Sequence, residues 1–275
     1  MVRMLSWLAV ILIGAFVAVN IGLYFAQGRI VFYPSRDFGA TPRDAGIAAE
    51  DVFIEVVPGQ RIHAWYVPPP EPAAPVVLFC HGNAGNISHR LETLRFLVDL
   101  GAGVLLFDYR GYGRSEGAPG EREVYADADA CYEWLRRERS VAPDRIVAFG
   151  RSLGGAVAVE LASRRPCRGL IVESSFTSIE DMGRKMYRYL PVRWFLRFSF
   201  RSIDRIGAVA CPVLVTHSPD DELVPYEMGQ RLAAAARPPK RFVPLVGGHN
   251  TLEYFALEPY RAAVRDILSG AAREW

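Results

Sequence analysis

The chain has 275 residues, of which 51% are hydrophobic, enough apolar material to bury one large core in a single folded domain. Its formal charge of +2 is close to balance, so nothing in bulk marks nucleic acid as a partner. The four cysteines are not spaced like zinc ligands, and the sequence holds neither internal repeats nor low-complexity tracts.

The first segment stands apart. From Met4 to Ala26 the sequence MLSWLAVILIGAFVAVNIGLYFA carries no charge, and only Ser6 and Asn20 are clearly polar. That is long enough to cross a bilayer as a helix and longer than the apolar stretch of a secretory signal. Residues 1–28 are therefore expected to form a single-pass membrane anchor, followed by a linker over 29–50. Ala26 and Gly28 would also suit a signal cleavage site, so removal of the segment is the competing reading. Arg29, Arg36 and Arg43 follow the segment while Arg3 precedes it, which tilts the orientation toward a cytoplasmic C-terminal body.

Beyond the linker the chain alternates strands with helices. DVFIEVV and RIHAWYV, separated by PGQ, predict an antiparallel hairpin. The Pro-rich VPPPEPAAP that follows reads as an exposed connection. PVVLFCHG, GVLLFDY, RIVAFG, GLIVESS, CPVLVTHS and KRFVPLVG then read as buried strands, with helical stretches such as SHRLETLRFLVDLG, YADADACYEWLRRER, LGGAVAVELASRR and EMGQRLAAAA between them. The expected fold is α/β, a mostly parallel eight-stranded sheet over 51–275 with helices on both faces. Cys80 and Cys131 read as buried thiols. Cys167 and Cys211 precede strands expected to be adjacent, which leaves a disulfide open.

Two serines compete for one role. Both GRSEG, around Ser115, and GRSLG, around Ser152, satisfy the Gly-x-Ser-x-Gly pattern of a nucleophilic serine. The pattern has force only where the serine sits on a sharp turn between a buried strand and a helix. Ser152 has RIVAFG before it and the alanine-rich LGGAVAVELASRR after it. Ser115 lies several residues past its strand and is followed by Gly and Pro, so it reads as a loop residue.

Sheets of this kind carry their sites in loops beyond the carboxyl ends of the strands. There stand CHGNAGN, GRSLGG, HSPDDELVP and GGHN. A serine hydroxyl needs a base to take its proton, and the base needs an acid to hold its tautomer. Ser152, Asp221 and His249 occur in the order serine, acid, histidine. Glu173, at the end of an earlier strand, is the alternative acid.

The strings FCHGNAGN, FDYRGYGRSEG, FGRSLGGAVA and GGHN resemble the alpha/beta hydrolase superfamily, from about residue 50 to the end. They are similar to its membrane-anchored branch of alpha/beta-hydrolase-domain-containing serine hydrolases, in which a segment like RIVFYPS follows an N-terminal helix. By this resemblance the acid falls at the fifth position of the HGxxDxxVP loop, which is Asp221 rather than Asp220. Ser218 stands where the family usually has Gly. The resemblance implies an oxyanion hole from the backbone N–H of Leu153 and that of Asn83, with Ala84 the neighbouring alternative.

The remaining histidines, His63, His81, His89 and His217, read as structural or exposed, and His81 as a packing or hydrogen-bonding member of its loop. Arg151 is expected to orient the turn through salt bridges, and Asp108 to organise DYRGYG. A small cap is expected over about 177–206, where Arg193, Arg197, Arg201 and Arg205 recur every fourth residue, as along one helix face. The implied function is a membrane-anchored serine hydrolase of carboxylic esters or thioesters, with lipid-like acyl substrates in view. A peptidase or acyltransferase on the same fold, or a hydrolase-fold binding protein, is the alternative. No metal or organic cofactor is implied.

Overall fold

Runs such as VVLFC and GVLLF are apolar at every position, and GLIVE at every position before Glu173, because both faces of their strands are covered, as in a parallel sheet. The computed structural model describes residues 2–186 and 196–275. Its strands are β1 (Tyr33–Pro34), β2 (Glu50–Val57), β3 (Gln60–Val67), β4 (Val76–Cys80), β5 (Ala84–Gly85), β6 (Gly103–Phe107), β7 (Ile146–Arg151), β8 (Gly169–Glu173), β9 (Val213–His217) and β10 (Lys240–Pro244). Eight of them form one sheet in the order β10-β9-β8-β7-β4-β6-β3-β2. All eight strands expected from the sequence are present. The β2–β3 and β3–β6 pairings are antiparallel and the others parallel.

The helices are α1 (Val2–Val31), α2 (Leu91–Asp99), α3 (Glu121–Glu138), α4 (Leu153–Arg164), α5 (Ile179–Met186), α6 (Ser202–Arg205), α7 (Tyr226–Ala235) and α8 (Glu258–Ser269). Side chains of α3, α4 and α7 share one apolar cluster with one face of the sheet, including Val124, Tyr132, Val157 and Leu232. Those of α2 and α8 share the cluster on the other face, including Leu94, Phe96, Tyr260 and Val264. This two-faced covering places the loops at the carboxyl ends of β4, β7, β9 and β10 along one edge of the sheet.

Within α1, Ser6–Val31 is long and apolar enough to cross a membrane, with mean hydropathy 2.4 and only 6% of its most apolar window buried by the fold. Its buried polar residue Asn20 donates through Nδ2 to the carbonyl of Phe16, one turn back in the helix. The stretch after α1 packs on the body. Phe32 is buried edge-on against Phe198 and Phe200, and Ile47 joins the second core cluster. Residues 33–34 pair in parallel with 84–85, a two-residue ladder too short to leave any periodicity in the sequence.

In the expected cap, residues 187–195 lie outside the described residues, and with them Arg193 and Trp194. The single helix face drawn through the arginines is corrected by the rest. Residues 196–201 are not helical, and α6 is one turn. The reason is tertiary. The Glu121 carboxylate accepts from the backbone N–H groups of Ser199 (2.6 Å) and Phe200 (2.8 Å), and Phe200 sits at φ +40°, which a continuing helix forbids. Arg201 pairs with Asp204 and Glu180, Arg205 donates to the Tyr125 hydroxyl (3.1 Å), and Arg197 lies over the Phe198 ring. All four cysteines are free, so no Cys167–Cys211 bridge is formed.

The loop after β6 is fixed by a buried ion pair. Arg110 donates from Nε and Nη2 to Asp127 Oδ1 (2.8 and 2.6 Å), and its backbone N–H donates to Oδ2 (2.9 Å). Burial pushes the Asp127 carboxyl up despite these bonds, so the pair gains little net stability while a lone partner is costly. Asp127→Ala should therefore lower unfolding stability by about 3–5 kcal/mol, measured by denaturant titration in detergent. Changing Arg110→Met and Asp127→Leu together should cost less than Asp127→Ala alone.

Candidate active site

Ser152 is the single residue between β7 and α4, with φ +55° and ψ −121°, a backbone state that costs a non-glycine residue energy. Its surroundings hold it there. Its N–H donates to the Glu173 carbonyl (2.8 Å), and its carbonyl accepts from Gly155 N–H (2.9 Å) and Ser175 Oγ (2.8 Å). The glycines leave room for the turn. A Cβ on Gly150 would lie 2.0 Å from the Gly154 carbonyl oxygen, and one on Gly154 would lie 1.9 Å from that of Cys80. A Cβ on Gly155 would overlap Ser175. Any larger residue at the first two positions meets backbone, which cannot yield.

Ser115 has the opposite environment. It is wholly buried, its Oγ donates to the Asp108 carbonyl (2.7 Å), and it accepts from His63 N–H (2.9 Å). Both bonds tie the loop after β6 to the sheet and leave the hydroxyl no route to a substrate.

His249 lies between Ser152 and Asp221. Its Nδ1 stands 2.8 Å from Asp221 Oδ2 and its Nε2 3.1 Å from Ser152 Oγ. A carboxylate only accepts, so Nδ1 carries the proton and Nε2 is left as the acceptor for the serine hydroxyl. Asp221 is further fixed by the N–H groups of Leu223 (2.9 Å) and Val224 (2.8 Å) on Oδ1, and by His217 Nε2, 3.2 Å from Oδ2. Burial, the largest influence, opposes its charge. The contacts from His217, His249 and Val224 outweigh it and hold the carboxyl well below the usual carboxylate range. Asp220 is exposed, with its backbone N–H on Ser218 Oγ.

Glu173, the alternative acid, is engaged elsewhere. Its wholly buried carboxylate accepts from the hydroxyls of Tyr254 (2.7 Å) and Tyr260 (2.6 Å) and lies 3.4 Å from Arg151 Nε. Arg151 Nη2 in turn donates to the His249 carbonyl (2.7 Å). The residue before the serine thus tethers the loop of the histidine. Glu222 completes the tether by accepting His249 N–H on Oε2 (2.8 Å). The sequence reading missed Glu222, Tyr254 and Tyr260, whose partners stand far away in sequence, and it took His217 as structural or exposed without its contact to Asp221.

Leu153 opens α4, so its N–H is one of the donors that a helix leaves free at its start, beside Ser152. Across from it runs the loop after β4. A Cβ on Gly82 would stand 3.5 Å from Ser152 Cβ, which shows how closely that backbone passes. His81 is buried and donates through Nδ1 to the Gly82 carbonyl (2.7 Å), while its ring packs on Tyr109 and Tyr112. Asp108 is buried beneath and accepts Ile87 N–H on Oδ1 (3.0 Å), tying this loop to the one after β6. Among the described residues, no three His, Cys, Asp or Glu side chains cluster as metal ligands would.

Residues 71–203 match the family described as Serine aminopeptidase, S33. An uncharacterized protein of Mycobacterium tuberculosis, Rv2307c, is 42% identical over 271 residues, covering 96% of each chain. The alpha/beta hydrolase domain-containing protein WAV2 of Arabidopsis thaliana is 35% identical over 86% of this chain and 85% of its own length. Lysophosphatidylserine lipase ABHD12 of Danio rerio is 37% identical, over 61% of this chain and 49% of its own length. The Pyrococcus furiosus esterase Pf2001 shares the fold, with a TM-score of 0.71 at 22% identity over 86% of this chain and 98% of that one. The strand order, the turn at Ser152 and the extent of these likenesses agree, and the chain belongs to the alpha/beta hydrolase superfamily, among its alpha/beta hydrolase domain-containing proteins.

Proposed function

We propose that the protein is a membrane-anchored serine hydrolase that cleaves carboxylic esters or thioesters through an acyl-enzyme. The observation that carries this reading is the continuous chain of contacts from Ser152 Oγ through His249 to Asp221. Ser152 Oγ attacks the substrate carbonyl as its proton passes to His249 Nε2, and Asp221 stabilises the imidazolium so formed. The N–H groups of Leu153 and Asn83 receive the developing oxyanion. Collapse of the tetrahedral adduct expels the alcohol or thiol, which takes the proton from His249. Water then repeats the sequence on the acyl-enzyme and releases the acid.

In this reading residues 1–28 are the anchor, 29–50 the connection, and 51–275 the catalytic domain with a small cap at about 177–206. An apolar helix delivers the site to a membrane surface, and a relative bears the name lysophosphatidylserine lipase. Both support lipid-like acyl esters as the substrate class. The family description supports a second reading, hydrolysis of aminoacyl amides by the same steps. A panel of acyl esters, thioesters and aminoacyl amides of graded chain length separates the two by which bond is cleaved.

Ser152→Ala should abolish ester turnover and labelling by a fluorophosphonate probe, whereas Ser115→Ala should keep most specific activity. A dead Ser115 variant beside an active Ser152 variant would overturn the assignment. The acids are separated in the same assay. Asp221→Asn should lower kcat on the order of a thousandfold or more with folding intact, since the imidazole loses the anion that sets its tautomer. Asp220→Asn should stay within about 3-fold of wild type, because an exposed carboxylate away from the reacting groups contributes little. Loss confined to Asp220→Asn would reverse the assignment.

A further inference from the structure

The loop that carries Asn83 has little structure of its own. It runs past Gly82 and Gly85, the latter at φ +81°, with only the two-residue β5 in it. An oxyanion donor contributes only if it is already aimed before the charge develops. In a planar peptide the N–H points opposite the preceding carbonyl, so fixing the carbonyl fixes the donor. The Gly82–Asn83 peptide, which carries Asn83 N–H, is held by His81 Nδ1 on the Gly82 carbonyl. The next peptide, Asn83–Ala84, is held from two sides, by the segment after α1 and by the loop after β6. The Asn83 carbonyl accepts from Tyr33 N–H (2.9 Å) and from the Tyr112 hydroxyl (2.7 Å).

The contact with Tyr33 belongs to a continuous seam. Asn83 Nδ2 donates to the Val31 carbonyl (3.3 Å), Ser35 N–H donates to the Gly85 carbonyl (3.0 Å), and Asn86 Nδ2 reaches back to the carbonyls of Ser35 (3.1 Å) and Asp37 (2.7 Å). Buried Phe32 fixes the seam on the body. The Tyr33 side chain is 55% exposed, so what this residue brings to the loop is its backbone N–H.

We propose that residues 31–35, the segment that leaves the apolar helix, form a strap that positions the oxyanion loop, with Tyr33 a positioning residue acting through its N–H on the Asn83 carbonyl. The inference rests on the serine-hydrolase reading. Without the strap the Asn83–Ala84 peptide keeps one partner on its carbonyl and gains freedom to rotate, and the Asn83 Cα that it shares with the donor peptide is no longer fixed from that side. The tetrahedral adduct then loses stabilisation that the bound substrate never had, so the loss falls on kcat rather than on KM.

The test uses the full chain in detergent, a short acyl ester as substrate, and fluorophosphonate titration to count active sites. Tyr33→Ala keeps the N–H, and Tyr33→Pro removes it. Tyr33→Ala should stay within about 2-fold of wild type, while Tyr33→Pro should lose about 10- to 100-fold in kcat per titrated site. Affinity for a trifluoromethyl ketone, which forms the tetrahedral adduct, should fall by the same factor, with KM within about 3-fold of wild type. If Tyr33→Pro does not fold, Asn86→Ala, which cuts the seam from the other side, decides by the same pattern. Wild-type kcat and ketone affinity in the deciding variant overturn the strap, as does a kcat loss with ketone affinity intact. A wild-type protein that turns over no ester overturns the serine-hydrolase reading and the strap with it.

Discussion

The backbone of Ser152 is the constraint on which the rest of the site depends. A non-glycine residue at φ +55° is unfavourable by itself, and it persists only where neighbours over-determine it. Here a strand on one side, a helix on the other and three backbone and hydroxyl bonds to residues 155, 173 and 175 do so. The absent side chains of Gly150 and Gly154 let α4 start directly against β4 and β7. That close start brings the first free N–H of the helix beside the serine hydroxyl. One strained residue thus aims a candidate nucleophile and a candidate oxyanion donor together, and neither could be moved without the other.

The charges around this turn are sorted by their partners. A buried carboxylate without a partner is costly, and three carboxylates around the site are each committed to a particular cation or set of donors. Asp127 is taken by Arg110, and Glu173 by Arg151 and two tyrosine hydroxyls. Asp221 is left facing His249, with His217 and two backbone N–H groups to keep it ionised. Arg151 links the sets, since the same guanidinium reaches Glu173 and the carbonyl of His249. Under the proposed mechanism the imidazolium forms without any reorganisation of these groups, which is the condition for electrostatic stabilisation to be effective.

The central sheet was legible because parallel strands buried on both faces must be apolar at nearly every position, and PVVLF, RIVAF and GLIVE are. Ser152 was separable from Ser115 because strand, turn and helix leave local marks on a sequence, and the order serine, acid, histidine follows from the sheet. What could not be read are contacts between distant segments. The β1–β5 ladder is two residues long, and Glu222 meets His249 through an irregular loop. The arginine row shows the converse error. A four-residue spacing is real in the sequence, but the Glu121 carboxylate, some 80 positions away, captures the backbone N–H groups that a helix would have needed.

The same long-range contacts change how the N-terminal segment must be understood. A flexible tether would hold a domain near a membrane and have no further effect on it. Here Phe32, the first residue after α1, is packed between Phe198 and Phe200, and the next residues are hydrogen-bonded to the loop of Asn83. Gln27, still within the helix, accepts Arg197 N–H at 2.8 Å. The helix end, the chain returning from the cap and the candidate oxyanion loop therefore meet around one buried aromatic ring. Under the proposed anchoring, the surface at which an acyl substrate would arrive and the groups that would receive its oxyanion are separated by only a few residues of ordered chain. Tilting α1 against the body would have to break the bonds that join residues 31–35 to the loop of Asn83.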